Sequence, residues 1–239
     1  MKNNPFKNGV RVQRALFLTG VSVFSVVLLT GATASIAARI EKARAPILKS
    51  DRTGSMKLFK ELYREIQNEV FTKAPRPPLQ VVVEAWRETA EVFLTDKGQN
   101  QFSLAESLWM AKPKEAIDAL VPLLKVEDGN LAVARLGARV ALRTMDCAKA
   151  EMFAQQAELA FPIGQDVKLL KFQVQDCLNG TSATVPAIPG LGNWSLEGEP
   201  TEYDSAIRLL QIKDLERRKD LKSAHAAVAT WEQRAAARA

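Results

Sequence analysis

The two cysteines of this chain, Cys147 and Cys177, are the residues most able to carry chemistry, and each follows an aspartate. Two cysteines can form a disulfide, act as a redox pair, supply part of a zinc site or remain buried thiols. A thioredoxin-like redox pair has the spacing Cys-x-x-Cys, which is not found here. A zinc site needs more ligands, and the single histidine, His225, lies far away in the sequence. A disulfide and two separate buried thiols both stay open at this point.

The sequence offers few other groups for catalysis. With one histidine, in an alanine-rich helix, a Ser-His-Asp or Cys-His arrangement is not expected. The short Gly-Leu-Gly run from Gly190 follows no strand and opens no phosphate-binding helix. Glu65 and Glu69 occupy ordinary solvated helix positions. We therefore predict that the protein is not an enzyme and has no catalytic residue, no metal site and no cofactor.

The positive charge of the chain is concentrated at its N-terminus. The formal net charge is +6, from 33 basic and 27 acidic residues. Four of the basic residues precede the first apolar run, and without them 29 basic residues face 27 acidic ones, too small an excess for a phosphate backbone. We therefore predict no nucleic-acid partner. The four residues are Lys2, Lys7, Arg11 and Arg14.

An apolar run extends from Ala15 to Ala38 without a charged residue. As a helix of about 24 residues it would reach roughly 36 Å, enough to cross a hydrocarbon core of about 30 Å. We predict a transmembrane signal-anchor at 15–38. The most hydrophobic part of the run is only as long as the apolar region of a signal peptide, and the small residues at Ala32 to Ala34 fit a cleavage site. The alternative is therefore a cleaved, soluble periplasmic protein.

The flanks of the apolar run carry similar positive charge, because four basic residues also follow it. The positive-inside comparison is therefore close to a tie. The usual signal-anchor route leaves a charged N-terminus in the cytosol, and we predict a basic cytoplasmic tail at 1–14. The body then lies in the periplasm, behind a single pass through the inner (cytoplasmic) membrane. The downstream basic residues are Arg39, Lys42, Arg44 and Lys49.

After a predicted polar stalk at 39–54, apolar residues recur at three- and four-residue steps and indicate amphipathic helices. Ser55 is the predicted cap of the first helix. A second helix follows the Pro-rich break at 74–78, and the polar stretch at 96–101 is expected to be a loop. Together these segments predict a helical hairpin. Its apolar positions are Met56, Phe59, Leu62, Tyr63, Ile66 and Val70 in the first helix, and Val82, Val83, Trp86, Ala90 and Phe93 in the second.

Three small or apolar positions recur after 34 residues: Ala116, Leu120 and Leu123 are repeated as Ala150, Ala154 and Ala157. A helix-turn-helix period of 34 residues resembles the tetratricopeptide repeat. The clearest unit has Leu136, Gly137 and Val140 in its first helix, and Ala150, Ala157 and Pro162 at the small and terminal-proline positions of its second. The resemblance covers 102–177, about a third of the chain, and an alanine-rich bundle of another kind is the alternative.

This unit departs from the family pattern in several places. The step from Leu136 to Ala150 is one residue longer than usual, and Ala154 stands where a phenylalanine is common. In the preceding unit Asp128 replaces the terminal proline, and Pro122 interrupts the second helix, which it is expected to bend.

The repeat resemblance implies a position for the cysteines. Cys147 would begin one helix, the chain would turn at 161–164, and Cys177 would end the next helix, back at the same end of an antiparallel pair. Helix axes 8 to 10 Å apart permit the Cα separation of under about 7 Å that a disulfide requires. On this basis we predict a Cys147 to Cys177 disulfide. It would hold a last repeat helix that has no partner of its own.

The chain is expected to end with a Gly/Pro/Ser-rich linker at 179–200 and one long C-terminal helix at 201–239, capped by Thr201 and Asp204. One apolar seam runs along this helix, and it would either pack back on the repeats or dock a partner or a second copy. The seam consists of Leu221, Ala224, Val228, Trp231 and Ala235.

The predicted fold is all-α: antiparallel hairpins at 55–178 stacked as a short tetratricopeptide-like solenoid, with an N-terminal transmembrane helix and a long C-terminal helix. The resemblance implies binding of a protein partner on a concave surface. We therefore expect a membrane-anchored scaffold or adaptor of a bacterial cell-envelope assembly. The alternative is a small structural subunit of a larger membrane complex, held mainly through its transmembrane helix.

Overall fold

A computed structural model describes residues 31–73, 77–180, 187–192 and 203–236. All the regular structure in these ranges is helical, which confirms the all-α prediction. The helices are α1 (Gly31–Arg44), α2 (Arg52–Lys73), α3 (Pro77–Glu91), α4 (Asp96–Leu108), α5 (Pro113–Leu120), α6 (Leu123–Val126), α7 (Leu131–Arg143), α8 (Cys147–Ala160), α9 (Gln165–Gly180), α10 (Asp204–Arg217) and α11 (Leu221–Ala236).

The chain divides into two compact units, Met1–Arg39 and Ile40–Ala239. Most of the predicted signal-anchor lies outside the described residues, and its last part, 31–38, belongs to α1. Among the helices that the structure describes, none has both the length and the apolar character of a membrane span.

The segment predicted as a stalk is folded. Helix α1 continues to Arg44, a short 3-10 helix follows at Ala45–Lys49, and α2 begins at Arg52, three residues before the predicted cap. Ile40 and Ala43 are buried, and the Ser55 hydroxyl donates a hydrogen bond of 2.6 Å to the Ala43 carbonyl. Ser55 therefore joins α2 to α1 instead of capping a helix.

The first hairpin pairs α2 with α3, and Trp86 of α3 lies at its centre. Its indole Nε1 donates a hydrogen bond of 3.0 Å to the Ala160 carbonyl at the end of α8. Phe161 packs edge-on against the same indole, with ring centroids 5.5 Å apart. The predicted apolar stripe therefore reaches beyond its own hairpin to the end of α8.

The stretch at 96–101, predicted as a polar loop, forms the first turns of α4. Thr95 caps this helix, because its hydroxyl oxygen accepts a hydrogen bond of 2.9 Å from the Gly98 amide. Helix α4 packs against α5, which ends at Leu120. Pro122 stands between α5 and α6, so the predicted interruption at this proline is present.

Helices α7 and α8 form the most closely packed hairpin. Gly137 permits this, since a Cβ atom there would overlap the ring of Phe153. Of the predicted repeat-packing positions, Leu136 and Pro162 are half-buried and the others are buried. The buried ones are Ala116, Leu120, Leu123, Gly137, Val140, Ala150, Ala154 and Ala157.

Helix α9 has partners on both sides, contrary to the expectation that it ends the array unpaired. It packs against α8 and α7, and α10 packs against it. Ile188 and Leu191, from the segment predicted as a Gly/Pro/Ser-rich linker, fill a small core with Phe172 of α9 and Ile207 of α10. The Gln211 side chain donates a hydrogen bond of 2.7 Å to the Leu191 carbonyl, which fixes this segment on α10.

The C-terminal region forms two helices instead of one. Helix α10 ends at Arg217, and Lys219 adopts a left-handed backbone conformation with φ of 61°. The Asp220 amide bonds to the Leu215 carbonyl and the Lys219 amide to the Glu216 carbonyl, the Schellman arrangement that ends a helix. Tyr203 occupies the N-cap of α10, and the predicted cap Thr201 lies outside the described residues.

Candidate functional site

Cys147, at the start of α8, and Cys177, in the last turn of α9, form the predicted disulfide, with Cα atoms 5.6 Å apart. Asp146 fixes the start of α8, since its carboxylate accepts a hydrogen bond of 3.1 Å from the Lys149 amide. It also accepts one of 2.6 Å from the Lys149 ammonium, and these contacts lower the pKa of Asp146.

A groove opens beside the disulfide, between α7, α9 and α10, and we call it the basic groove. Its volume is about 780 Å³, within the range of sites that bind small molecules or short peptide segments. Its lining is Arg139, Leu142, Arg143 and Met145 from α7 and its end, Gln173, Asp176, Cys177 and Gly180 from α9, and Leu210, Lys213 and Arg217 from α10.

Positive charge dominates the basic groove, because four of its side chains are cationic and one is a carboxylate. That carboxylate, Asp176, pairs with the Lys213 ammonium at 2.5 Å and also with the Arg217 guanidinium. These two contacts attach α10 to α9, and they give both cations of the α10 wall a carboxylate partner within the protein. The cations of the α7 wall, Arg139 and Arg143, face no carboxylate of the groove.

The rim near Arg143 is apolar and polarisable. The Arg143 guanidinium lies 5.9 Å from the centroid of the Trp109 ring and 3.3 Å from the Met110 sulfur. Met110 is exposed, and Met145 is exposed over 70% of its surface. Met145 also has a left-handed backbone, with φ of 58°, at the end of α7.

Arg135 lies one turn before Arg139 on the same side of α7 and holds the α7 wall in place. Its guanidinium pairs with Glu91 of α3 at 2.9 Å and with Asp166 of α9 at 2.8 Å. The second contact is an ion pair without hydrogen-bond alignment, since Arg135 Nε and Asp166 Oδ2 have no hydrogen-bonding partner. Arg135 thereby links the three helices α3, α7 and α9.

A second buried network joins the start of α2 to two loops. The Glu127 carboxylate accepts hydrogen bonds from the Arg52 guanidinium at 2.8 Å, the Leu94 amide at 2.9 Å and the Thr95 amide at 3.0 Å. Arg52 also donates to the carbonyls of Val92 and Asp128, at 2.6 Å each. Burial lowers the pKa of Arg52 and the ion pair with Glu127 opposes this. None of these residues lines the basic groove, and the network holds α2 against the two loops.

The other predicted site residues lie apart from the groove. In the C-terminal seam Ala224 is buried, Val228 and Trp231 are half-buried, Leu221 is exposed, and Ala235 lies near the end of α11. Helix α11 packs chiefly against α10. His225 is exposed on α11. Within the described ranges, no group of three His, Cys, Asp or Glu residues is arranged to hold a metal ion.

Sequence reasoning identified the disulfide but not the groove beside it. One signal was present, because Arg135, Arg139 and Arg143 follow one another at four-residue steps and therefore lie along one side of α7. The contribution of α10 carried no such signal, since it depends on how 187–192 positions that helix.

The comparisons with known proteins identify no relative. No protein-family model matches this sequence, no curated protein is significantly similar to it, and no solved structure has a significantly similar fold. The function must therefore be argued from the geometry of the basic groove.

Proposed function

We propose that this protein is a membrane-anchored, exported adaptor whose stacked helical hairpins bind a protein partner in a bacterial cell-envelope assembly. The basic groove is the observation on which the proposal depends. It is concave, it is formed by three helices of the body, and it combines cations with exposed apolar side chains, as protein-binding surfaces do.

The helix contacts support a solenoid. Neighbouring helices pair as α2 with α3, α4 with α5, and α7 with α8, while α7 also contacts α3, α5 and α9. Contacts between successive hairpins are what a stacked array requires, because a single hairpin cannot bury its apolar face. In this interpretation α7 is the central helix of the array, and its outer side forms one wall of the groove.

The proposed export has support from the cysteine pair. Cys147 and Cys177 are paired, and disulfides persist in oxidising compartments such as the periplasm. The apolar segment at 15–38, with its basic N-terminal flank, supplies the proposed anchor.

The test compares the full chain with the body alone in cells that produce the protein. The body should begin at Ile40, because a fragment from Ser55 would lose the buried side chains of Ile40, Ala43 and Arg52. Each form is sent to the periplasm, crosslinked in living cells and purified under denaturing conditions.

An adaptor is expected to crosslink to the same protein with and without its anchor. Crosslinking that requires residues 1–39 would indicate a subunit held through its membrane segment. If neither form crosslinks to an envelope protein, the adaptor function is refuted.

A further inference from the structure

We infer that the basic groove binds an acidic peptide segment that also carries apolar side chains. This inference rests on the proposed adaptor function and specifies the chemistry of the partner. The carboxylates of the segment would pair with Arg139 and Arg143, and an apolar side chain would pack against Met145.

The charges of the α7 wall are not neutralised by the protein itself. Within the described part of the chain, the Arg139 side chain makes no hydrogen bond or ion pair. The hydrogen bonds and the cation-π contact of the Arg143 side chain there are with the uncharged Met110 and Trp109. Arginines four residues apart repel each other on a helix, so the free protein bears a small cost that a bound carboxylate would remove. Two adjacent guanidinium groups are also well suited to carboxylates, which they bind in a bidentate manner.

The charges of the opposite wall do not cancel the attraction of the α7 wall for a carboxylate of the peptide. Lys213 and Arg217 share Asp176, so the excess of positive charge lies toward α7. The C-terminal end of α9, at Gly180, adds a partial negative charge of about half a unit, which is smaller than that excess.

The apolar lining favours a peptide over other anions. Leu142 and Leu210 are half-buried in the groove walls, and Met145 projects at its rim. Methionine is adaptable and is frequent at surfaces that accept varied apolar side chains. A nucleic-acid backbone would use a longer row of cations than this groove provides, and a bilayer surface would not enter a concavity between helices.

Met145 stands at a position where glycine would be more stable. It occupies the left-handed position of a Schellman motif, with the Asp146 amide bonded to the Ala141 carbonyl and the Met145 amide to the Leu142 carbonyl. Glycine is the usual residue there because it adopts this conformation without strain. The exposed methionine at the rim offers a bound peptide an apolar contact that glycine would not.

The experiment measures fluorescence anisotropy with the full chain in detergent micelles and its disulfide intact. The probe is a labelled peptide of alternating Glu and Leu residues, and the control peptide has Gln in place of every Glu. We expect saturable binding of the Glu peptide that weakens as salt is raised, and at least tenfold weaker binding of the Gln peptide.

Two variants with the same loss of charge separate groove binding from general attraction. Arg139→Ala with Arg143→Ala should weaken binding of the Glu peptide at least about tenfold. Lys57→Ala with Arg64→Ala removes two exposed cations from α2, which does not line the groove, and should change it less than twofold. Equal effects of the two pairs would overturn the inference.

Met145→Gly distinguishes a contact residue from a structural one. The variant should unfold at a higher urea concentration, because the strain is removed, and yet bind the Glu peptide several-fold more weakly. Unchanged binding would refute the contact with Met145. If a DNA oligonucleotide or anionic vesicles bound in the groove more tightly than the Glu peptide, the inference that the ligand is a peptide would be refuted.

The outcomes also separate this inference from the adaptor function. If an envelope partner crosslinks equally well to the Arg139→Ala, Arg143→Ala variant, the adaptor function stands and the groove inference fails. If the Glu peptide binds in the groove but no partner crosslinks in cells, the adaptor function fails alone.

Discussion

The strongest stability prediction concerns Glu127, whose carboxylate is buried with the Arg52 guanidinium. Changing Glu127 to Ala removes the partner of a cation that is itself only 3% exposed. It also leaves the Leu94 and Thr95 amides without their acceptor. Breaking a buried ion pair by removing one member costs about 3 to 5 kcal/mol, a large share of the 5 to 15 kcal/mol that stabilises a typical domain.

Urea unfolding followed by circular dichroism measures this cost in the full chain with its disulfide intact. The matched control is Glu88→Ala, which removes one carboxylate from an exposed pair with Arg44 at the same distance of 2.8 Å. The control should cost less than about 1 kcal/mol, since exposed ion pairs contribute little. Glu127→Gln should fall between the two, because it keeps an acceptor but not the charge.

A double-mutant cycle then tests the stated cause. Changing Arg52 and Glu127 together to Ala should cost clearly less than the sum of the single changes, because no unpaired charge remains buried. Additive costs, or a Glu127→Ala effect equal to that of Glu88→Ala, would refute the reasoning.

Three further predictions concern the disulfide, the close helix contact and the cap of α8. Replacing Cys147 and Cys177 by Ser opens a loop of about 31 residues and should lower the free energy of unfolding by about 3.5 kcal/mol. Urea unfolding of the unchanged protein after reduction should show the same decrease in the free energy of unfolding. Gly137→Ala should destabilise the protein by about 1 to 3 kcal/mol through overlap with the facing ring, whereas Gly180→Ala, with open space around its Cβ, should change the urea midpoint little. Asp146 has a lowered pKa because it accepts hydrogen bonds from Lys149. Its contribution to stability is therefore present above its unfolded pKa of about 3.9 and is lost as the pH falls through the folded value. Asp146→Asn should be less stable than the unchanged protein at pH 7, and urea unfolding at a series of pH values should show this difference in stability disappearing in acid.

Apolar periodicity predicted the buried side chains of the hairpins well. Phe59, Ile66 and Trp86 are buried, as their spacing predicts, and the turn before Gln165 lies at its predicted position. These features depend on short-range repetition, which a sequence displays directly. The cysteine pair was predicted from the repeat resemblance, which implies two antiparallel helices of similar length that return to the same end.

The differences arose where tertiary contacts override local polarity. The stretch after Thr95 is polar because most of its side chains are exposed, although Gly98 is buried. The cap that starts the helix is a single hydroxyl. The segment before α2 is rich in charge, yet Ile40 and Ala43 are buried by residues that come later in the chain.

The groove could not be assembled from the sequence for a similar reason. The row of arginines on α7 is visible as a pattern, but the second wall comes from α10. Ile188 and Leu191 bring that helix to Phe172 through a segment without periodicity. No local rule connects these positions, so the site emerges only when α9 and α10 are packed.

Site-specific photocrosslinking in living cells tests the central claim most directly. A photoreactive phenylalanine analogue is placed in the full chain at Met145 on the groove rim or at Leu159, which is 72% exposed on α8 outside the groove lining. We predict a crosslink from Met145 to an envelope protein that is lost when Arg139 and Arg143 are changed to Ala, and no such crosslink from Leu159. Equal crosslinking from both positions, or a Met145 crosslink that persists without the two arginines, would contradict the account.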